Sequence, residues 1–66
     1  MASVETSKGT VPIYGYNKIS DRDMAADAAT ETLVGPLLPK EGEWVSVRFG
    51  CIEWHFIAGA RGAVKA

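Results

Sequence analysis

Apolar and polar residues alternate through the most hydrophobic stretch of the chain, residues 44–57, and the alternation changes phase once. Inside Trp44 and Ile57, which end the stretch, Val45, Val47 and Phe49 have odd numbers, whereas Ile52, Trp54 and Phe56 have even numbers. Because the side chains of a strand point alternately to its two faces, one straight strand would place these two sets on opposite faces. A hairpin that turns at Gly50-Cys51 places both sets on one face, since glycine at the first loop position suits a type II′ turn.

This hairpin predicts six cross-strand pairs. The apolar face carries Val45 with Phe56, Val47 with Trp54 and Phe49 with Ile52, and the other face carries Trp44 with Ile57, Ser46 with His55 and Arg48 with Glu53. The opposite charges of Arg48 and Glu53 favour this register, because such cross-strand pairs contribute about 0.2–1 kcal/mol each. The alternative is one long strand bent by a bulge at Gly50, which leaves the charge pair unexplained.

The clearest helix signal lies near residues 21–34. Ser20 is suited to the N-cap position, and the acidic residues of the first turn match the positive end of the helix dipole. Gly35 and Pro36 end the pattern, because glycine suits the left-handed residue past a helix and proline cannot continue it. The stripe that would be buried is small in volume and consists of Ala25, Ala26, Ala29 and Leu33. Such a helix needs a surface to pack on.

The two ends of the chain predict little regular structure. Residues 1–10 are small and polar, so we expect a flexible N-terminal arm. Residues 11–16 predict a short extended segment, and Pro12 restricts it to the edge of a sheet, because proline lacks the N–H that a central strand donates. Residues 59–66 contain two closely spaced glycines and predict a flexible tail. A single folded domain is therefore expected over residues 11–58.

The sequence as a whole predicts an α+β fold, a small single module in which one helix packs on the C-terminal β-hairpin. A two-stranded hairpin is marginal alone, so either residues 11–16 add a third strand at its edge or another chain does. A chain of 66 residues buries only about 60% of its unfolded surface. Its single cysteine can form no internal disulfide, which leaves oligomerisation or docking on a partner as the usual means of stabilisation.

The composition argues against several classes of function. Seven basic and eight acidic residues give a formal charge of −1, so no field selects nucleic acid or an anionic membrane. The apolar runs are too short for a transmembrane helix, and the start of the chain does not have the pattern of a signal peptide. We therefore expect an intracellular location, in the cytoplasm or within a virion, and no nucleic-acid partner.

Cys51 and His55 are the two residues that suggest nucleophilic catalysis. Cys51 lies in the predicted turn, and His55 lies four positions along the strand, about 13 Å away at the usual rise per residue. The two side chains are therefore not expected to meet. A single cysteine with a single histidine does not form a zinc site. The sequence predicts a non-enzymatic protein without catalytic, metal-binding or cofactor-binding residues.

The remaining large apolar side chains predict contact with a protein partner or with further copies of the chain. The candidate partner-binding residues are Tyr14, Tyr16, Leu37, Leu38, Trp44 and Ile57. Leu37 and Leu38 lie between two prolines and have a second interpretation, as residues that fill the core. The function that we expect is a structural or accessory subunit that stabilises a larger assembly by burying such surface, for example a coat, cement or decoration protein of a virion, or a small subunit of a large complex. The alternative is a regulator or inhibitor that binds one protein through its acidic helix and hairpin.

Overall fold

The computed structural model describes residues 2–65, so Met1 and Ala66, which belong to the predicted arm and tail, lie outside it. Four strands form one antiparallel sheet: β1 (Ala2–Thr6), β2 (Gly9–Ile13), β3 (Trp44–Phe49) and β4 (Ile52–Ile57), in the order β2-β1-β3-β4. One helix, α1 (Arg22–Thr32), packs against β2, β3 and β4, and short 3-10 turns occur at Gly35–Leu37 and Ala60–Gly62. The predicted α+β class is confirmed, with one more strand than expected.

The hairpin of β3 and β4 has the predicted register. All six predicted pairs are present, from Trp44 with Ile57 at the open end to Phe49 with Ile52 at the turn. Gly50 has a φ of 63°, whereas the φ of Cys51 is not positive. This is the φ pattern of a type II′ turn, which matches the right-handed twist of the two strands. The bent single strand is therefore ruled out.

The N-terminal residues correct the prediction of a flexible arm over residues 1–10. Ala2–Thr6 form an inner strand, paired with β2 on one side and with β3 on the other. Every second residue of this strand is buried, and Val4 has no exposed surface. Two neighbouring strands supply the backbone hydrogen bonds that a polar segment cannot supply for itself.

The other half of the predicted arm leads into β2, which begins at Gly9, two residues before the predicted start of the extended segment. The strand lies at the edge of the sheet, as its proline requires. Ser3 opposes Pro12, and the two-residue loop makes this a pair without ladder hydrogen bonds, since such pairs alternate from the turn. The missing N–H of Pro12 therefore removes no hydrogen bond from the sheet.

The helix differs from its prediction at both ends. Asp21, and not Ser20, is the N-cap, and its side chain accepts a hydrogen bond of 2.8 Å from the backbone N–H of Met24. The hydroxyl of Ser20 lies 3.6 Å from the sulfur of Met24 instead. The helix ends at Thr32, two residues early. Its buried face consists of Ala25, Ala26, Ala28 and Ala29, with Leu33 directly after it.

The C-terminal residues correct the prediction of a flexible tail over residues 59–66. Val64 pairs with Ala58 in an isolated bridge, and its backbone N–H donates to the Thr30 hydroxyl of the helix at 3.1 Å. A Cβ on Gly62 would lie 2.9 Å from Leu38 Cδ2, so this glycine allows a close approach between two chain segments. Gly62, one of the two glycines that predicted flexibility, therefore serves packing.

The inner position of β1 gives a testable expectation. Truncating the wholly buried Val4 to alanine removes packing from the centre of the sheet, so V4A should lower the free energy of unfolding by about 2 kcal/mol in urea denaturation. The matched control is V34A, at a valine that is 61% exposed, where a change within about 0.5 kcal/mol is expected. Equal effects of the two substitutions would contradict the buried position of β1.

Candidate functional site

One face of the sheet is not covered by any other segment of residues 2–65, and we call it the open face. Because successive side chains of a strand point to opposite faces, it carries every second residue of each strand. They are Ser3, Glu5, Thr10, Pro12, Trp44, Ser46, Arg48, Glu53, His55 and Ile57. The opposite face packs against α1 and carries buried residues such as Val4 and Val47. The open face is mostly polar, as an uncovered antiparallel sheet requires.

Small residues on the two inner strands leave a hollow in the open face. Ser3 on β1 and Ser46 on β3 lie at its floor, and Ser46 is only 7% exposed. The longer side chains of Glu5, Arg48 and Glu53 stand around them, with Thr10 at the β2 side. The hollow has a volume of about 200 Å³. Because the serine side chains are short, they leave this space above the two inner strands.

Of the two carboxylates at the hollow, one has an ion-pair partner and the other has none in the described structure. Glu53 lies between Arg48 and His55: its carboxylate is 3.8 Å from Arg48 Nε and 3.1 Å from His55 Nε2. Glu5 accepts a hydrogen bond of 3.2 Å from the Thr10 hydroxyl. No ion pair to Glu5 occurs within residues 2–65. Its carboxylate is therefore the charge at the hollow that lacks a cationic partner in the described structure.

An apolar pair adjoins the hollow at the open end of the hairpin. Trp44 and Ile57 are direct cross-strand neighbours, and they are 47% and 57% exposed. The next pair along the strands, Ser46 with His55, separates them from the charged residues. The structure thus brings two of the predicted partner-binding residues together on the open face.

The predicted tyrosines lie elsewhere, and the structure does not bring them to the open face. Tyr14 follows the end of β2 and is 76% exposed. Tyr16 is half-buried against the core, and its hydroxyl donates a hydrogen bond of 2.8 Å to a carboxylate oxygen of Glu31 on the helix.

The predicted leucine pair is divided between the core and the surface. Leu37 ends the first 3-10 turn and packs against the core. Leu38 is 38% exposed, and its carbonyl accepts a hydrogen bond of 2.7 Å from Lys8 Nζ. The six predicted residues therefore do not form one surface, and only Trp44 and Ile57 share a site.

The exposed edge of β4 is partly closed by the side chain of Arg22 and by the backbone of Lys65. Arg22 Nη2 donates a hydrogen bond of 2.8 Å to the carbonyl of His55, and its guanidinium lies 4.4 Å from the centre of the Phe56 ring. The backbone N–H of Lys65 lies 3.5 Å from the carbonyl of Ile57. Such coverage opposes the addition of another strand, as does proline on the opposite edge. The open face is thus better suited to contact than the edges.

The groups that suggested chemistry lie apart from one another. Cys51 is exposed at the hairpin turn, whereas His55 lies on the open face beside Glu53. Within residues 2–65 no three histidine, cysteine or acidic side chains are grouped so that they could hold a metal ion. Neither α1 nor the short turns of this part of the chain has the length and apolar character needed to cross a membrane.

The sequence does not predict the hollow. It places Arg48 and Glu53 on the face opposite the apolar pairs, but it does not bring Glu5 to them. Glu5 was assigned to the flexible arm, so nothing in the local sequence placed it beside Ser46. The alternation of Ala2, Val4 and Thr6 is the signal that could have revealed a strand there.

The contact between Tyr16 and the helix gives a testable pH dependence. The hydrogen bond to Glu31 raises the pKa of Tyr16 above its usual value of 10.0, and partial burial and the charges of Glu31 and Asp27 act in the same direction. The stabilisation of the folded state by this hydrogen bond is therefore fully present below pH 10 and is lost as the pH rises through the raised pKa of Tyr16. In E31Q the pKa of Tyr16, followed by NMR of the ring carbons, should fall toward 10.0. An unchanged titration would contradict the contact.

The comparisons with known proteins found no relative of this chain. No family model, no curated protein and no solved structure matches the chain. The functional interpretation therefore depends on the geometry of the open face and on the chemistry of its residues.

Proposed function

We propose that this chain is a non-enzymatic structural or accessory subunit, which docks its open face onto a larger protein assembly. The observation that carries the proposal is the one-sided covering of the sheet: Trp44 and Ile57 are about half exposed, side by side, on the face that no segment of residues 2–65 covers. Tryptophan is among the residue types that most often anchor protein interfaces.

The energy available at this pair is sufficient for an anchor. Covering the exposed half of Trp44 removes about 100 Å² from water, which corresponds to about 2.5 kcal/mol at 25 cal/mol per Å². Ile57, with a similar exposed area, adds about the same amount. This gain offsets part of the entropy lost on association, and shape and charge complementarity supply the rest.

The size of the chain supports the same proposal. A domain of 66 residues has a small core, here closed by a helix of alanines, so its stability is marginal by itself. A partner that binds only the folded state stabilises it by mass action. A coat, cement or decoration protein of a virion, or a small subunit of a large cytoplasmic complex, would gain both anchorage and stability in this way.

A second candidate function is favoured by a different surface. Asp23, Asp27 and Glu31 are exposed and lie four residues apart on α1, so they form an acidic stripe on the outer side of the helix. This stripe supports a regulator or inhibitor that binds one basic protein surface. The two functions use opposite sides of the molecule and can be separated by site-specific crosslinking.

The crosslinking experiment uses the photoreactive residue p-benzoylphenylalanine, placed at position 55 on the open face or at position 27 on the helix. In cells that produce the chain naturally, we expect position 55 to give one discrete adduct with a larger protein, and position 27 to give none. W44A should reduce the yield at position 55 at least about tenfold, since an interface anchor contributes about 2 kcal/mol.

The matched control for the anchor is Y14A, which removes a more exposed aromatic residue outside the sheet and should leave the yield unchanged. An adduct from position 27 alone would support the regulator and contradict docking through the open face. Adducts that are insensitive to W44A, or no adduct from either position, would refute the proposed subunit function.

A further inference from the structure

The hollow in the open face indicates which kind of side chain the partner presents there. We infer that it receives a basic side chain of the docked protein, a lysine or an arginine, with the Glu5 carboxylate as its counter-ion. This inference rests on the proposed docking function, because it uses the same face. It adds the class of side chain that the partner presents next to the apolar surface that covers Trp44.

The shape of the hollow fits an inserted side chain. Its floor is made by two serines on the inner strands, and its volume of about 200 Å³ is many times the roughly 10–15 Å³ that one water molecule needs. Glu5 lies directly opposite Ser46 across the β1–β3 pair. A group that enters above this short side chain therefore comes within reach of the Glu5 carboxylate.

The charge balance selects a cation. Two carboxylates and one guanidinium surround the hollow, so its formal charge is negative. The Glu53 carboxylate already has Arg48 and His55 beside it, whereas Glu5 has no ion pair within residues 2–65. Covering the face removes water from Glu5, and an unpaired carboxylate at an interface is costly. A partner with an acidic or apolar group at this place would be rejected for that reason.

The oxygen atoms that line the hollow are also suited to accept hydrogen bonds from an inserted side chain. The Thr10 hydroxyl donates to one oxygen of Glu5 at 3.2 Å, which orients the carboxylate and leaves its other oxygen available. Serine hydroxyls at the floor can accept further hydrogen bonds. An arginine fork or a lysine ammonium carries only donors, so it complements a set of carboxylate and hydroxyl acceptors.

The inference is tested by NMR titration of the intact protein with N-acetyl-arginine amide and N-acetyl-lysine amide. At least one of these probes should produce saturable shifts at the backbone amides of Glu5, Thr10 and Ser46 at millimolar concentration. The neutral probe N-acetyl-glutamine amide should produce none. E5Q should weaken binding by about fivefold, the usual upper effect of a solvent-accessible ion pair. The matched control is D27N, which makes the same change of charge on the opposite side of the molecule and should bind as the unmodified chain does.

Several outcomes would overturn the inference: no saturable shift with either cation, equal shifts with the neutral probe, or affinity unchanged in E5Q. These results are independent of the crosslinking experiment, because the probes need no partner. If position 55 gives an adduct but E5Q binds the cationic probes as tightly as the unmodified chain, the basic side chain is rejected and the docking function remains. If a cationic probe binds at the hollow but position 55 gives no adduct, the docking function is rejected. A protein partner is then rejected as the source of the cation.

Discussion

The pairing of β1 between β2 and β3 is the interaction on which the rest of the structure depends. It joins two hairpins that are far apart in sequence into one sheet, with Val4 opposite Val11 on one side and Val47 on the other. Each hairpin alone would be marginal, since two strands cannot bury enough surface. The four-stranded sheet provides a face wide enough for the helix, whose alanines allow a close approach.

One helix in so short a chain covers one face of the sheet. The uncovered face must then be compatible with water, and most of it is, with serine, threonine and charged side chains. Trp44 and Ile57 are the exception, and they lie next to a hollow that small residues have opened. The short chain that gives the domain a small core also leaves this surface uncovered, and the proposed docking would cover it.

The predictable parts of the fold depended on contacts that are near in sequence. The phase change at Gly50 and the charge pair of Arg48 with Glu53 determined the hairpin register from residues 44–57 alone. Because that register was correct, Trp44 and Ile57 were correctly expected to be neighbours. Local signals also located the helix to within two residues at each end, although they favoured Ser20 over Asp21 as the cap.

The rest could not be predicted because it depends on distant segments. Val4 is the one large apolar residue of Ala2–Thr6, so the composition predicts a flexible arm. Its burial depends on pairing with Val47 of β3, more than 40 residues later in the chain. Gly62 indicated mobility, although its missing side chain is what allows Leu38 to approach. The hollow followed neither from motif nor from composition, since Glu5 reaches it only through β1.

Amide hydrogen exchange measured residue by residue tests this account most directly. The register gives Ser3 and Glu5 ladder hydrogen bonds with β3, and Val4 with β2. We expect all three amides to exchange as slowly as that of Val47 in the centre of the sheet, with opening free energies close to that of global unfolding. Exchange of these amides at the rate of an unstructured peptide, while Val47 remained protected, would contradict the account.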